Sequence, residues 1–404
     1  MKSAIVLILI IIIVILAILF GPNVWRIYKV TNLFNEESIS YNFINMDEFF
    51  PISTPIKASE NPHIFEKKEN FQLPETYFYE GEEKSLMNAI DYFQTDGMVI
   101  LHKGDLIYEN YWNDNKEDTR HIIWSVSKSF LSALVGIAVE EGLIESIEDP
   151  ITKYLKDFIG TGYEGVSIKN LLQMSSGIGF NEDYGDPDSD INRYGRVTAT
   201  GTSQREFAKT LKNARTPGTY NHYVSLDSQM LGMLVAEVSG VSIKEYLHDK
   251  IWNQIGMQDD AFYLTDHQDI EMSLGGLNAT VRDLAKFGQL YLNKGSWKGK
   301  QIVPEQWVID SHTPDAPHLM PNAGDDLTSS EWGYGYQWWI PGNPMTDFTA
   351  HGVYNQFIYV DPVSGVVIAK TSSNHRFRSE KDYSKAVHIA MFRSIAKHIS
   401  KQAN

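Results

Sequence analysis

Two β-rich blocks lie far apart in this chain with a largely helical stretch between them, and that arrangement limits the folds open to it. Residues 98–102 and 106–112 flank Lys103-Gly104-Asp105, a turn signal that makes the first block a hairpin. The second block comprises residues 334–340, 356–360 and 366–370, the last two runs joined by Asp361-Pro362-Val363-Ser364-Gly365. Between the blocks, residues 127–141, 168–174, 203–212, 225–238, 243–255 and 281–293 repeat apolar side chains at spacings near the helical period. A last amphipathic helix is expected over about residues 383–399. Strands from both ends then pair in one antiparallel sheet, and the helical stretch is inserted as a second lobe, which is an α+β architecture. Sites in such folds often lie between the lobes.

The N-terminus carries a different signal. After Lys2, an uninterrupted apolar run extends from Ala4 to Phe20, and Gly21, Pro22, Asn23, Val24 and Trp25 lead to Arg26. A helix rising about 1.5 Å per residue needs roughly 20 residues to cross the hydrocarbon layer, so residues 4–25 suffice. A cleavable signal peptide starts the same way, but no clear small-x-small cleavage site follows. The expectation is a transmembrane signal-anchor over residues 1–25. It predicts single-pass membrane localisation, with the lipid bilayer a partner through residues 4–25 and the body periplasmic or extracellular. Residues 26–85 mix aromatics with Pro51, Pro55, Pro62 and Pro74 and show no sustained helical period, which predicts an extended arm against the body. Residues 86–404 form that body, with the helical lobe at about 143–325.

Composition excludes several functions. Of 404 residues, 51 are acidic and 35 are Lys or Arg; the formal charge of -16 opposes nucleic-acid binding, since phosphate backbones are repelled. The chain has no cysteine, so disulfides, thiolate metal sites and cysteine nucleophiles are ruled out. The Gly-x-Ser-x-Gly elbow, the Walker phosphate loop, the His-Glu-x-x-His pair and the dinucleotide glycine fingerprint are all missing. Asp186, Asp188 and Asp190 do not have the glycine and distal glutamate of a calcium loop, and no metal is expected.

What remains is Ser125-Val126-Ser127-Lys128 at the start of a helix. A serine hydroxyl is a weak nucleophile until a nearby base takes its proton, and a neutral amine one helical turn away can do so. Burial would lower the lysine pKa toward working pH, and the helix N-terminus favours a developing alkoxide. Spacing alone is weak evidence. Ser394-Ile395-Ala396-Lys397 also fits it, and an N-capping serine beside a solvated lysine gives the same pattern.

The surroundings separate the two copies. Ile123-Trp124-Ser125-Val126-Ser127-Lys128-Ser129-Phe130 resembles the nucleophile motif of class C β-lactamase-like serine hydrolases, the penicillin-binding-protein fold. Ile147-Glu148-Asp149-Pro150-Ile151, Leu171-Leu172-Gln173-Met174-Ser175-Ser176-Gly177, Pro217-Gly218 with Tyr223-Val224-Ser225, Gly275-Gly276-Leu277 and Gly333-Tyr334-Gly335-Tyr336-Gln337-Trp338-Trp339 follow in the family's order. Glu182-Asp183-Tyr184 and the Tyr-x-Ser form resemble the branch of 6-aminohexanoate-oligomer hydrolases and related esterases. The resemblance implies the β-lactamase-like two-lobed fold, here preceded by one transmembrane helix.

It also implies roles for individual residues. Ser125 would be the nucleophile, Lys128 its base and Tyr223 the donor of a proton to the leaving group. The backbone amides of Ser125 and Val353 would form the oxyanion hole. Tyr184 on a loop over the site, Ser225, His351 and Gly352 would contact substrate. Two positions depart from the family pattern: Ser225 stands where asparagine is usual, and Ala350-His351-Gly352 stands where β-lactamases carry Lys-Thr-Gly. Losing that cation argues against penicillin recognition. The expected function is a serine amidase or esterase acting on a small amide or ester substrate, with no cofactor. The rivals are a β-lactamase or D,D-peptidase and a non-catalytic membrane-tethered scaffold of the same fold. Which group is the acylation base stays open, as do the natural substrate and the oligomeric state.

Overall fold

The computed structural model describes residue 25 and residues 28–68, 71–199, 201, 203–342 and 344–402. Its central sheet is built from β1 (Thr95–His102), β2 (Asp105–Tyr111), β3 (Gly333–Tyr334), β4 (Trp339–Ile340), β5 (Phe348–Gly352), β6 (Gln356–Asp361) and β7 (Val366–Ser372). The order is β3-β4-β5-β6-β7-β1-β2, antiparallel throughout. The two ends of the body meet where β7 pairs with β1, Ala369 opposite Val99 and Lys370 opposite Met98. The larger helices are α1 (Ser127–Glu140), α2 (Asp190–Ala199), α3 (Ser225–Ser239), α4 (Val281–Leu292) and α5 (Phe377–Gln402).

Strand alternation explains how the sheet is covered on both faces. Val99, Leu101, Val367 and Ala369 face one core together with Phe287 and Leu290 of α4. Met98, Ile100, Val366 and Ile368 face the other, against Val387, Phe392 and Ile395 of α5. At Gly288, an added Cβ would lie 2.5 Å from a methyl of Val367, so glycine lets α4 sit directly on the sheet. Helix α1 is buried from Ser127 to Ala138 and packs on α3. A helix apolar nearly all round needs neighbours on every side, which is why α1 runs through the interior.

The transmembrane anchor expected over residues 4–25 is corrected here. Among the described residues no helix is long and apolar enough to cross a membrane, and apart from Trp25 the expected span lies outside those residues. Over the described residues the fold is the β-lactamase-like α+β arrangement. The single-pass localisation and the bilayer contact likewise have no support.

Smaller differences have local causes. The run at residues 334–340 forms two short strands, because Gln337 takes a positive φ of 61° and turns the chain. Its buried side chain donates to the carbonyls of Leu171 and Leu172 at 3.0 and 2.9 Å and accepts from Ser228 Oγ at 2.7 Å, tying the helical lobe to the sheet. The helix after Ser242 starts with a capping box to Glu245 but widens into a π-helical turn at His248–Trp252. Helix α5 begins earlier than expected, with a kink at Glu380. Upstream, Ile39–Ile44 is a short helix, and Ile52 and Ile56 bridge to Leu264 and Ala261.

Lys370 is fully buried on β7 beside Ser372. Burial lowers its pKa from 10.5 to about 7, with Asp96 opposing. The unfolded chain therefore holds this proton up to about pH 10.5, whereas the folded chain releases it near 7. Stability from this group rises with pH across that window and falls on acidification toward its lower edge. Lys370→Met is expected to shrink the gain in thermal midpoint between pH 7 and pH 9. An unchanged gain by differential scanning calorimetry would show that Lys370 is charged in the fold.

Candidate active site

Ser125 sits in a tight turn, Trp124–Val126, that feeds α1. The preceding strand His121–Ile122 pairs with Leu277–Ala279, and Ile123 N donates to Leu277 O at 3.0 Å. Trp124 has φ 45°, a left-handed conformation that costs a bulky residue energy and persists where its surroundings fix it. Phe34, Phe43 and Tyr354 pack around its ring at 5.9, 5.5 and 6.4 Å. The strain thus falls on the residue next to the candidate nucleophile.

Lys128, one turn on and buried, donates to Ser125 Oγ at 3.1 Å, to Ser225 Oγ at 3.3 Å and to the carbonyl of Leu274. Burial lowers its pKa from 10.5 to about 7, while Glu182 and Asp227 pull the other way. An amine with this pKa is substantially neutral at pH 7 and can accept a proton. Tyr223 holds its ring 5.4 Å from Lys128 Nζ and stacks on Trp339 at 5.3 Å. Burial and then Glu182 push its phenol well above the ordinary range, and the Ser125 hydroxyl opposes them. Its hydroxyl thus stays protonated at neutral pH and can donate.

Ser225 opens α3 and faces the same point. Its N–H and hydroxyl donate to the two carboxylate oxygens of Glu182 at 3.0 and 2.5 Å, and Tyr184 donates to Glu182 Oε1 at 2.8 Å. Glu182 therefore anchors the 181–189 loop to α3 and brings a carboxylate near Lys128. No motif in the sequence assigns Glu182 this role. Asp227, also unassigned, is fully buried on α3, accepts from Tyr163 at 3.3 Å, and is pushed well above the usual carboxylate range by burial. Side-chain identity alone could not reveal either, since both act through contacts distant in sequence.

On the opposite wall β5 ends beside the nucleophile turn. A Cβ on Gly352 would lie 2.7 Å from Ile123 O and 3.1 Å from Ser125 N, so only glycine lets the strand approach this closely. Gly352 thus abuts the backbone of the nucleophile turn. Val353, next along, borders the site together with Ser125. His351 is buried against Phe357, Trp332 and Phe377 at 4.7, 5.9 and 6.1 Å. Burial first, then Lys385 and Lys381, hold its pKa well below normal, so its ring is neutral. The second Ser-x-x-Lys lies in α5, where Ser394 donates to Thr76 O at 3.3 Å.

Two cavities meet at Ser125, Tyr184 and Val353. One, of about 300 Å³, has a largely apolar wall that includes Leu33, Phe34, Ile191, Leu264 and Met272. The other, of about 540 Å³, contains Glu182, Tyr223, Glu331, Trp339, Lys381 and Lys385. Among the described residues no cluster of three or more His, Asp or Glu is placed to hold a metal ion.

Residues 88–390 match the family model described as Beta-lactamase. The chain is 30% identical over 286 residues to the 6-aminohexanoate-dimer hydrolase of Paenarthrobacter ureafaciens, covering 69% of this chain and 72% of that one. A solved Bacillus anthracis protein, provisionally assigned as a 6-aminohexanoate-dimer hydrolase, superposes with a TM-score of 0.80 at 27% identity, over 92% of this chain and 96% of its own. A penicillin binding protein from Bacillus halodurans shares the fold, with a TM-score of 0.57 at 17% identity over 74% of this chain and 99% of its own. The chain belongs to the Beta-lactamase family and is a serine hydrolase of the β-lactamase and penicillin-binding-protein superfamily.

Proposed function

We propose that this hydrolase cleaves a small amide or ester through an acyl-enzyme on Ser125. Ser125 Oγ forms a bond to the substrate carbonyl carbon as its proton passes to Lys128 Nζ. The negative oxygen is held by the amides of Ser125 and Val353, each donor contributing on the order of 3 kcal/mol to the transition state. The C–N or C–O bond then breaks as Tyr223 gives its proton to the departing amine or alcohol and takes the proton held by Lys128, which leaves the lysine amine neutral again. Water attacks the acyl carbon with Lys128 again accepting the proton; the acid leaves and Ser125 regains its hydrogen. Glu182 positions Ser225 and Tyr184 at the rim.

The observation that carries this reading is the 3.1 Å contact between Ser125 Oγ and a buried Lys128 whose pKa lies at about 7. Similarity to a 6-aminohexanoate-dimer hydrolase supports amides among the substrates. The neutral His351 in place of a cationic third motif favours this reading over penicillin recognition. The test treats the full chain with a fluorophosphonate probe, maps the adduct by mass spectrometry and follows p-nitrophenyl acetate hydrolysis. A single adduct on Ser125 that abolishes turnover is expected. A folded protein that takes no label, or takes it elsewhere, refutes the assignment.

A further inference from the structure

We infer that the apolar cavity is the acyl-side specificity pocket and that the upstream segment at residues 30–34, through Phe34 and Leu33, sets the length of apolar acyl chain the enzyme accepts. The inference rests on the acyl-enzyme reading, in which Tyr223 protonates the leaving group. Tyr223 lines only the polar cavity, with Glu182, Lys381 and Lys385. The leaving group therefore departs into that cavity. The carbonyl sits at Ser125 and Val353, where the two cavities join, so the acyl chain has the apolar one to enter.

Three stretches supply much of that cavity's wall. Leu264, Met272 and Leu274 form one side, while Tyr184, Pro187 and Ile191 from the loop and α2 form another. The third is the upstream segment, which contributes Val30, Thr31, Leu33 and Phe34. Phe34 is fixed there by a parallel stack on Tyr354 at 4.8 Å and by the Arg378 guanidinium 4.8 Å from its ring. A cavity of about 300 Å³ with a largely apolar wall has room for an aliphatic or aryl-alkyl chain of medium length. The substrate class is thus a medium-chain aliphatic or aryl-alkyl acyl amide or ester with a polar leaving group.

The test measures kcat/KM of the full chain on p-nitrophenyl esters from acetate to dodecanoate. Wild type is expected to gain about fourfold per added methylene until the cavity is full, then to level or fall. Phe34→Ala removes an aromatic side chain from the cavity wall and is expected to raise the dodecanoate-to-hexanoate ratio at least tenfold. Thr31→Trp, on an exposed position at the cavity rim, fills the space and is expected to lower the octanoate-to-acetate ratio at least tenfold. The two variants move the profile in opposite directions, which general loss of stability cannot do. A flat wild-type profile, or ratios unchanged in both variants, overturns the pocket assignment and leaves Ser125 chemistry standing. Absence of turnover on every ester overturns the acyl-enzyme reading together with this one.

Discussion

Ser125→Ala is expected to lower kcat/KM on p-nitrophenyl acetate by on the order of 10⁴-fold or more, and Lys128→Met by about 10³-fold. The double variant should be little worse than Ser125→Ala alone, because a base with no nucleophile to activate contributes nothing. Methionine nearly matches the lysine in length but cannot accept a proton. It also removes a buried amine, so the Lys128→Met fold should be at least as stable as wild type at pH 7. Activity and stability are thus predicted to move apart, which separates a catalytic role from a structural one. Wild-type kcat/KM should also fall about tenfold per pH unit below about 7, as the buried amine becomes protonated. A Lys128→Met enzyme retaining a tenth of wild-type activity would falsify the assignment of the base.

Gly352→Ala is expected to cost about 10²- to 10³-fold in kcat with a much smaller change in KM. The new methyl would meet two backbone atoms, Ile123 O at 2.7 Å and Ser125 N at 3.1 Å, and neither can swing aside as a side chain could. Strand β5 must therefore retreat from the nucleophile turn, carrying Val353 with it. The proposed oxyanion donors would separate by a few tenths of an ångström, enough to weaken hydrogen bonds that act on the transition state. Overpacking should lower stability by about 1–3 kcal/mol, so activity is to be measured well below the thermal midpoint. Unchanged kcat in a destabilised but folded variant would place the oxyanion site away from β5.

The sequence exposed what is local. The hairpin β1–β2 follows from a β-rich run broken at Lys103-Gly104-Asp105, and α1, α3 and α4 follow from helical periodicity. One helical turn between Ser125 and Lys128 made their contact legible, and the residues around them set this pair apart from Ser394 and Lys397. Helix α2 was not anticipated, although Ile191, Tyr194 and Thr198 bury one face at helical spacing. Glu182 and Asp227 were hidden because their importance lies in which residues they reach. Most of the apolar cavity's third wall was unreadable for the same reason: Phe34 gains its position from Tyr354 and Arg378, both far along the chain.

The pairing of β7 with β1 also constrains the order in which the protein can be born. Residue 97 finds its partner at residue 371, and β1 lies between β7 and β2 in the sheet. During synthesis β1 and β2 emerge first and wait as a hairpin with one edge open, while the helical lobe follows and can begin to pack. That edge is a template for any other strand it meets. Contacts of such long sequence separation form slowly, so the interval before β7 arrives is when the nascent chain is most exposed to misassociation. A chain ending before Val366 would carry that open edge permanently, and would be expected to aggregate even with Ser125 and Lys128 in place.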